Sequence, residues 1–284
     1  RGGSIDARPF LKSFTQATDA KGKDGGDFDL ELKSPIVSGH GKQILSNVDF
    51  RMVRRGGIVR QLAVNAHFGR SPLTVALSRG ESGLPQVSVT TGDGGALLAF
   101  TDLYGRMEGG ALTSTMQLDG RTVNGMVQIR NFYLREEPAL KRLVVEGAAR
   151  VDQSGARRID PGLVKFDRLQ TLFTRSGGRL ELREGMMSGA DIGLTVEGVI
   201  DETRNTMNLS GTFVPAFAIN NFFSKIPLVG MLLTGGWNEG LIAVNYRLGG
   251  SPSAPQLSIN PLSAVAPGFL RKLFGALEGA GQQR

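Results

Sequence analysis

The sequence predicts a mainly β fold, in which an antiparallel sheet carries a few short helices, the last of them amphipathic and close to the C-terminus. Three observations support this prediction. Apolar and polar residues alternate in many short runs, which is typical of strands with one buried and one solvated face. The 40 glycines stand singly or in pairs between these runs, where turns are expected. The third observation is an internal repeat.

The alternation assigns a face to each residue of a predicted strand. In residues 27–33, Phe28, Leu30 and Leu32 share one face, and every residue of the other face is charged. Later runs follow the same pattern, so we expect one apolar face that continues from strand to strand. Its candidate residues are Leu62, Val64, Leu73, Val75, Leu112, Met116, Leu180, Leu194, Leu209, Ile242 and Val244.

Apolar residues at helical spacing interrupt the strands at five places. The predicted helices cover residues 6–14, residues 93–108, residues 136–145, residues 216–233 as two short helices, and residues 267–277. The last of these carries one apolar stripe with basic residues beside it, as amphipathic helices do.

The internal repeat predicts how the chain is organised. Residues 45–57 align with residues 166–178 at an offset of 121, Arg54 falls on Arg175, and both segments end in Gly-Gly. Stacked repeats bury a continuous face together. The predicted segments are an N-terminal segment of residues 1–41 with a short helix, a polar loop and the first strand, a first β repeat with helices over residues 42–160, and a second β repeat with a C-terminal helical cap over residues 161–284.

Charge and composition restrict the partners. The formal net charge of +7 favours anionic partners, either nucleic acid or membrane phosphate headgroups. No nucleic-acid-binding motif accompanies this charge, and the three Tyr and one Trp are scattered, so nucleic acid is not predicted as a partner. The absence of cysteine excludes disulfides, thiolate metal sites and cysteine nucleophiles.

The residue patterns predict neither an enzyme nor a metal site. The chain contains no phosphate-binding loop, zinc-protease motif or nucleophile elbow, and no pair of carboxylates stands out for glycosidase chemistry. We interpret His40, in a predicted turn, and His67, on a predicted strand, as solvated polar residues. The longest apolar stretch, residues 213–233, holds prolines, asparagines and a lysine, so no membrane-spanning helix is predicted.

A sheet with one apolar face must cover that face. The predicted helices are few for about ten strands, and a soluble protein exposes apolar patches of only a few hundred Å². Composition leaves two solutions open. Either the sheet packs against itself as a sandwich or barrel, or something apolar fills its concave side.

The C-terminal sequence resembles a known family. Residues 213–217, 226–236, 239–247 and 259–274 are similar to the C-terminal region of bacterial AsmA-like proteins, closest to the YhdP type, and residues 93–110 resemble the same family more diffusely. The resemblance implies an elongated, curved sheet that forms an apolar groove. It also implies a Gram-negative envelope protein, anchored in the inner membrane by a segment absent from this chain, whose periplasmic groove carries phospholipid as cargo and has no catalytic residues.

Two hypotheses follow from the residues and the resemblance. The first is a non-enzymatic lipid-binding groove, the C-terminal part of a periplasm-spanning phospholipid transport protein between the inner and outer membranes. The alternative is an outer-membrane assembly or scaffold protein that acts through protein–protein contacts. Residues near the C-terminus are candidates for a tip that meets a membrane surface or an envelope protein, or that caps the open end of the groove. They are Phe222, Phe223, Leu228, Leu232, Phe269, Leu270, Arg271, Lys272, Leu273 and Phe274.

Overall fold

A computed structural model describes residues 3–11, 26–148, 160–190, 192–215 and 244–260 of the chain. Within these ranges the protein is one long, curved and unclosed sheet of 14 strands with three short helices. Strand order in the sheet follows chain order, and all neighbours are antiparallel except the first two strands. The predicted fold class, a mainly β protein with a curved antiparallel sheet and few helices, is therefore confirmed.

Every strand except β1 spans 7 to 14 residues, and the described helices span 4 to 11 residues. The strands are β1 (Ile5–Asp6), β2 (Phe28–Ser38), β3 (Ile44–Arg55), β4 (Ile58–Phe68), β5 (Ser71–Arg79), β6 (Pro85–Thr91), β7 (Met107–Asp119), β8 (Thr122–Arg135), β9 (Leu163–Ser176), β10 (Arg179–Ser188), β11 (Ile192–Asp201), β12 (Thr206–Pro215), β13 (Val244–Ser251) and β14 (Ala254–Asn260). The helices are α1 (residues 8–11), α2 (Gly94–Phe100) and α3 (Pro138–Ala148). The helices predicted over residues 216–233 and 267–277 lie outside the described residues.

The connections give the sheet two different ends. At the turn end, tight hairpins join β3 to β4, β5 to β6, β7 to β8, β9 to β10, β11 to β12 and β13 to β14. Gly56 and Gly57 adopt φ of 56° and 76° in the first of these turns, and such left-handed values match the twist of a two-residue hairpin. At the opposite end, which we call the helix end, the connections include α2 and α3, and α1 lies beside the end of β2.

All three helices pack on the same face of the sheet. Residues of β2 to β5 form one buried cluster with Ala96 and Phe100 of α2, and Leu11 of α1 packs against it. Strands β7 to β13 form a second buried cluster with Leu140, Leu143 and Val144 of α3. In the part of the chain that the structure describes, the helices therefore cover the sheet only at the helix end, on the side that carries the apolar residues.

Contacts of α3 show how the sheet curves. This helix lies in the connection between β8 and β9, yet it contacts β12 and β14. In a flat sheet, β9 and β14 would lie about 24 Å apart, whereas an 11-residue helix is only about 16 Å long. The sheet must therefore curl toward α3, and its apolar face is the concave one.

Left-handed residues inside strands change which side chains face the helices. Asn131 in β8 has φ of 55°, and it lies between Ile129 and Phe132, which are both buried. Asn47 in β3 has φ of 51° and lies in the same way between two buried residues, Leu45 and Val48. Asparagine tolerates this conformation better than most residues. In each of these two strands, one extra residue interrupts the alternation. The buried residues on both sides of the interruption therefore lie on the same, concave face.

The helix predicted over residues 93–108 is too long. Asp93 caps α2 by accepting a hydrogen bond from the Ala96 N–H at 2.9 Å, but the helix ends at Phe100. Asp102 then adopts φ of 61°, which an α-helix cannot continue through. Residues from Met107 onward belong to β7, so Gly109 lies in a strand and does not end a helix.

The helix predicted over residues 6–14 is also wrong at its start. Ile5 and Asp6 form β1, which pairs in parallel with Val37 and Ser38, and α1 begins at residue 8. Asp6 still accepts a hydrogen bond from the Arg8 N–H at 3.0 Å, as expected of a residue before a helix. The helix predicted over residues 136–145 agrees closely with α3.

Strand positions repeat along the chain. β4, β5 and β6 begin at Ile58, Ser71 and Pro85, and β10, β11 and β12 begin 121 residues later, at Arg179, Ile192 and Thr206. The boundary predicted at residues 160 and 161 falls between α3 and β9, where the pairing of β8 with β9 keeps the sheet continuous. The division into segments 1–41, 42–160 and 161–284 stays a prediction.

Candidate functional site

The candidate site is the concave side of the sheet, which we call the apolar face. Cross-strand pairs define it, because residues directly opposite each other share a face. Near the helix end, one row of paired residues runs through Ala66, Leu73, Thr91, Leu112, Ile129, Leu169, Met187, Leu194, Phe213 and Val244. Nearer the turn end, a second row runs through Leu77, Val87, Met116, Gly125, Phe173, Leu182, Gly198, Leu209, Leu248 and Leu257. Each row crosses ten strands, so the apolar face is continuous.

The structure brings most of the predicted site residues together on this face. Pairing and burial place Leu62, Val64, Leu73, Val75, Leu112, Met116, Leu180, Leu194 and Leu209 there, and Val244 pairs with Phe213 in the first row. Ile242 lies outside the described residues. So do all tip candidates, namely Phe222, Phe223, Leu228, Leu232, Phe269, Leu270, Arg271, Lys272, Leu273 and Phe274. The role of these residues in binding stays a prediction.

At the helix end the apolar face is a closed core. Phe132 and Phe166 are fully buried on neighbouring strands, and their rings stack with centroids 5.4 Å apart. Phe68 packs edge-on against Phe100 of α2 with centroids 5.7 Å apart. The sequence patterns did not identify Phe132 or Phe166, because the left-handed Asn131 breaks the alternation in β8.

Nearer the turn end, none of the described helices covers the same face, although Val87 and Leu209 of the second row are buried. Leu62, Met116 and Leu180 are half-buried, and none belongs to the two clusters that pack beneath the helices. On β2, Phe28 is 37% exposed and Leu30 is 48% exposed. An apolar surface that spans this many strands favours a covering layer, since exposed apolar area costs about 25 cal/mol per Å².

Two aromatic rings lie across glycines of this face. A Cβ at Gly125 would be 2.5 Å from the ring of Phe173 on the next strand. A Cβ at Gly211 would be 2.7 Å from the hydroxyl of Tyr246, which donates a hydrogen bond to the Thr195 carbonyl at 2.5 Å. Burial raises the pKa of Tyr246. Because the rings of Phe173 and Tyr246 lie over glycines, they pack flat against the sheet and do not project into the concave side.

The opposite, convex face is mainly polar, with a few exposed apolar residues such as Tyr133 and Leu163. Thr74, Thr113, Glu181 and Arg183 are exposed there, as the alternation predicts. Polar side chains also bond across strands. Gln128 donates to Gln170 at 3.3 Å and Thr174 donates to Asn124 at 2.8 Å. The polar side chains of the convex face are thus bonded to one another or to solvent. The two faces of the sheet differ in chemistry as well as in curvature.

A polar cluster fixes the start of α3. The Tyr104 hydroxyl donates to Oε2 of Glu137 at 2.6 Å, and Nε of Arg106 lies 3.8 Å from the same oxygen. Arg106 also donates to the Glu136 carbonyl at 2.6 Å. Burial raises the pKa of Tyr104, with the neighbouring Glu137 carboxylate as the second cause. The cluster joins the segment after α2 to the N-terminus of α3.

The titratable side chains form no catalytic arrangement that we can identify in the described ranges. No group of three or more His, Cys, Asp or Glu residues there could hold a metal ion. None of the helices in that part of the chain is long and apolar enough to cross a bilayer. His67 is half-buried rather than solvated, and its Nδ1 has no hydrogen-bond partner among those residues. His40 is likewise half-buried rather than solvated, and its Nδ1 lies 3.8 Å from Oδ2 of Asp102.

Comparisons with known proteins give no family assignment. No protein-family model, curated protein or solved structure matches the chain. The similarity to AsmA-like proteins stays a hypothesis that rests on the residues quoted for it.

Proposed function

We propose that the chain is a non-enzymatic lipid-binding protein that holds the acyl chains of phospholipids on its apolar face. The observation that carries this proposal is the unequal cover of that face. Among the described residues, the helices cover the helix end, whereas apolar residues continue without a covering helix toward the turn end. Each methylene moved from water onto such a surface contributes about 0.8 kcal/mol, so acyl chains supply a suitable cover.

The resemblance to AsmA-like proteins supports a wider proposal. In it, the chain is the C-terminal part of a phospholipid transport protein that spans the periplasm of a Gram-negative bacterium, from an inner-membrane anchor toward the outer membrane. Phospholipid is the cargo and no cofactor takes part. The C-terminal tip candidates would meet a membrane surface or an envelope protein.

One observation favours the alternative of an assembly or scaffold protein. Among the described residues, β1 covers the edge of β2 only at Val37 and Ser38. The remainder of that edge is open, and Phe28, Leu30 and Ile36 are exposed along it. Open strand edges bind extended segments of other proteins by β-addition.

A pair of variants on one strand tests lipid binding. We expect Val75→Asp, on the half-buried apolar face, to reduce phospholipid loading several-fold, because a charge in an acyl path is strongly disfavoured. Thr74→Asp adds the same charge to the exposed convex face of the same strand and is the matched control. The measurement is native mass spectrometry of delipidated protein after incubation with phospholipid, with circular dichroism to verify folding.

The outcomes separate the two hypotheses. Loading that persists in the wild type and in Thr74→Asp but is lost in Val75→Asp supports the apolar face as the lipid site. A folded Val75→Asp variant with full loading contradicts that assignment. A delipidated wild type that is stable and takes up no lipid favours the scaffold.

A further inference from the structure

An arginine stands at the turn end of four successive hairpins. Arg54 is at the end of β3, Arg79 at the end of β5, Arg121 in the turn between β7 and β8, and Arg175 near the end of β9. We call these four residues the arginine row. Arg54 and Arg175 are also equivalent positions of the 121-residue repeat.

The register places the arginine row on the edge of the apolar face. Arg54 is opposite Phe28, Arg79 is opposite Pro85, and Arg175 is opposite both Val123 and Leu180. Arg54, Arg79 and Arg175 also follow apolar-face residues of their own strands by two positions, which is the period of a strand. The side chains of Arg54, Arg79 and Arg175 therefore border the apolar face and belong to its concave side, and Arg121 lies in a turn along the same border.

The spacing of the row follows from sheet geometry. Neighbouring strands lie about 4.8 Å apart, so arginines on β3, β5, the β7 turn and β9 are about 10 Å from one to the next. The chain order of the strands keeps these positions in sequence across the sheet. The result is a line of guanidinium groups that runs perpendicular to the strands.

The charges of Arg54 and Arg79 are not neutralised within the described part of the chain, where neither has a carboxylate within ion-pair distance. Arg54 is half-buried and Arg79 is exposed. Arg175 donates to Oε2 of Glu202 at 2.6 Å. Asp119 is close in sequence to the row, but it follows Leu118 and so belongs to the convex side.

Basic residues at the helix end differ in this respect. Nη2 of Arg135 donates to Oε2 of Glu108 at 2.9 Å, and this bond lowers the pKa of Glu108. Lys141 likewise bonds to Glu136. Paired charges close the helix end, whereas Arg54 and Arg79 at the turn end remain available for an anion.

We infer that the arginine row binds the phosphate headgroups of phospholipids whose acyl chains lie on the apolar face. This inference rests on the proposed lipid-binding function and adds an orientation: headgroups at the turn end and acyl chains directed toward the helix end. Guanidinium groups suit this task because their donors match phosphate oxygens in bidentate geometry. The site should therefore prefer anionic phospholipids to uncharged lipids with the same chains.

The experiment compares two lipids that differ only in the headgroup. Delipidated protein is incubated with phosphatidylglycerol and with diacylglycerol of identical acyl composition, and bound lipid is measured by native mass spectrometry. We expect the wild type to prefer phosphatidylglycerol. The Arg54→Gln, Arg79→Gln double variant should reduce this preference about tenfold, since each basic residue near an anionic surface contributes to the free energy of binding. The control is Arg51→Gln, Arg130→Gln, which removes two exposed arginines elsewhere on the sheet.

The outcomes distinguish failure of the inference from failure of the proposed function. A double variant that keeps the full preference, or a control that loses it equally, overturns the headgroup site and leaves lipid binding intact. A wild type that takes up neither lipid overturns both. Inorganic phosphate is the third probe. If phosphate alone binds to the wild type and not to the double variant, while neither lipid binds, the row is a free-phosphate site and the lipid assignment is wrong.

Discussion

Single residues of the apolar face differ in how completely the fold surrounds them. Phe166 is fully buried between the sheet and α3 and stacks on Phe132, whereas Leu180 is only half-buried beside Arg175. Dense packing makes the removal of a buried side chain costly, because the neighbours cannot fill the cavity. At a solvent-exposed surface, truncation of a side chain leaves no cavity. The loss of unfolding free energy on truncation should therefore decrease from the helix end to the turn end.

We expect Phe166→Ala to lower the free energy of unfolding by about 3–5 kcal/mol, the usual cost of truncating a buried phenylalanine. Leu180→Ala should lower the free energy of unfolding by about 1 kcal/mol, because the Leu180 side chain is already partly in contact with solvent. Urea unfolding of the delipidated protein measures both values. Equal costs for the two variants would contradict an open turn end.

For single residues, the sequence predicted on which face of the sheet many side chains lie, but not how deeply each side chain is buried. Alternation identified Leu73, Leu112 and Leu194, which are buried, in the same way as Leu62 and Leu180, which are not. Burial depends on which helix lies above a residue, and helix placement is a long-range contact that local alternation does not contain.

Among the elements, α3 has the largest effect on the shape of the site. It packs Leu140, Leu143 and Val144 on the concave side and contacts strands far along the sheet. Its start is fixed by the bond from Tyr104 to Glu137 and by the contacts of Arg106. Loss of this cluster should therefore loosen the helix end without disturbing the hairpins.

We expect Glu137→Ala to destabilise the protein by about 1–3 kcal/mol, because the buried Tyr104 hydroxyl loses its acceptor. Glu136→Ala removes only an exposed ion pair with Lys141 and should change stability by no more than about 0.5 kcal/mol. Thermal and urea unfolding give the comparison. Equal losses of stability in the two variants would contradict a role of the polar cluster in holding the start of α3.

Element types were predicted more reliably than element limits. The spacing of apolar residues identified α2 and α3, yet it extended α2 into β7 because Leu103, Tyr104 and Met107 also fit a helical period. The left-handed Asp102 ends the helical path in the folded chain. A local backbone angle of this kind has no strong sequence pattern at an aspartate.

At the scale of the whole molecule, the sheet is stabilised unevenly along its strands. Both buried clusters and all three helices lie toward the helix end, and the hairpins of the turn end are held mainly by their own backbone pairing. Local opening requires little free energy where few buried apolar contacts are lost. The turn end is therefore the part of the groove most able to open.

Hydrogen exchange should show this gradient. We expect backbone amides of β8 and β9 around Phe132 and Phe166 to exchange at least about a hundredfold more slowly than amides beside Gly177 and Gly178, in the turn between β9 and β10. Mass spectrometry of peptides from delipidated protein resolves the two ends. Uniform protection along these strands would show that the molecule opens as one unit.

The mainly β class and the antiparallel arrangement could be predicted from alternation and glycine spacing, and both are confirmed. Curvature could not be derived from the residue pattern, since it depends on α3 reaching β12 and β14. The resemblance to AsmA-like proteins supplied that expectation. The arginine row was visible in the sequence only as Arg54 and Arg175, because its alignment across hairpins needs the register.

The sequential strand order has a consequence for how the protein folds. Every described strand of the sheet pairs with its neighbours in the chain. Most pairing steps therefore close only a short loop, and topologies with local contacts fold quickly. A chain that emerges N-terminus first can add one hairpin after another to a growing edge. The contact of α3 with β14 is the exception, because it must wait for the last strand. Closure of the helix end is thus completed late in folding, and a chain halted before β14 would carry a nearly complete sheet in which α3 still lacks its contact with the last strand.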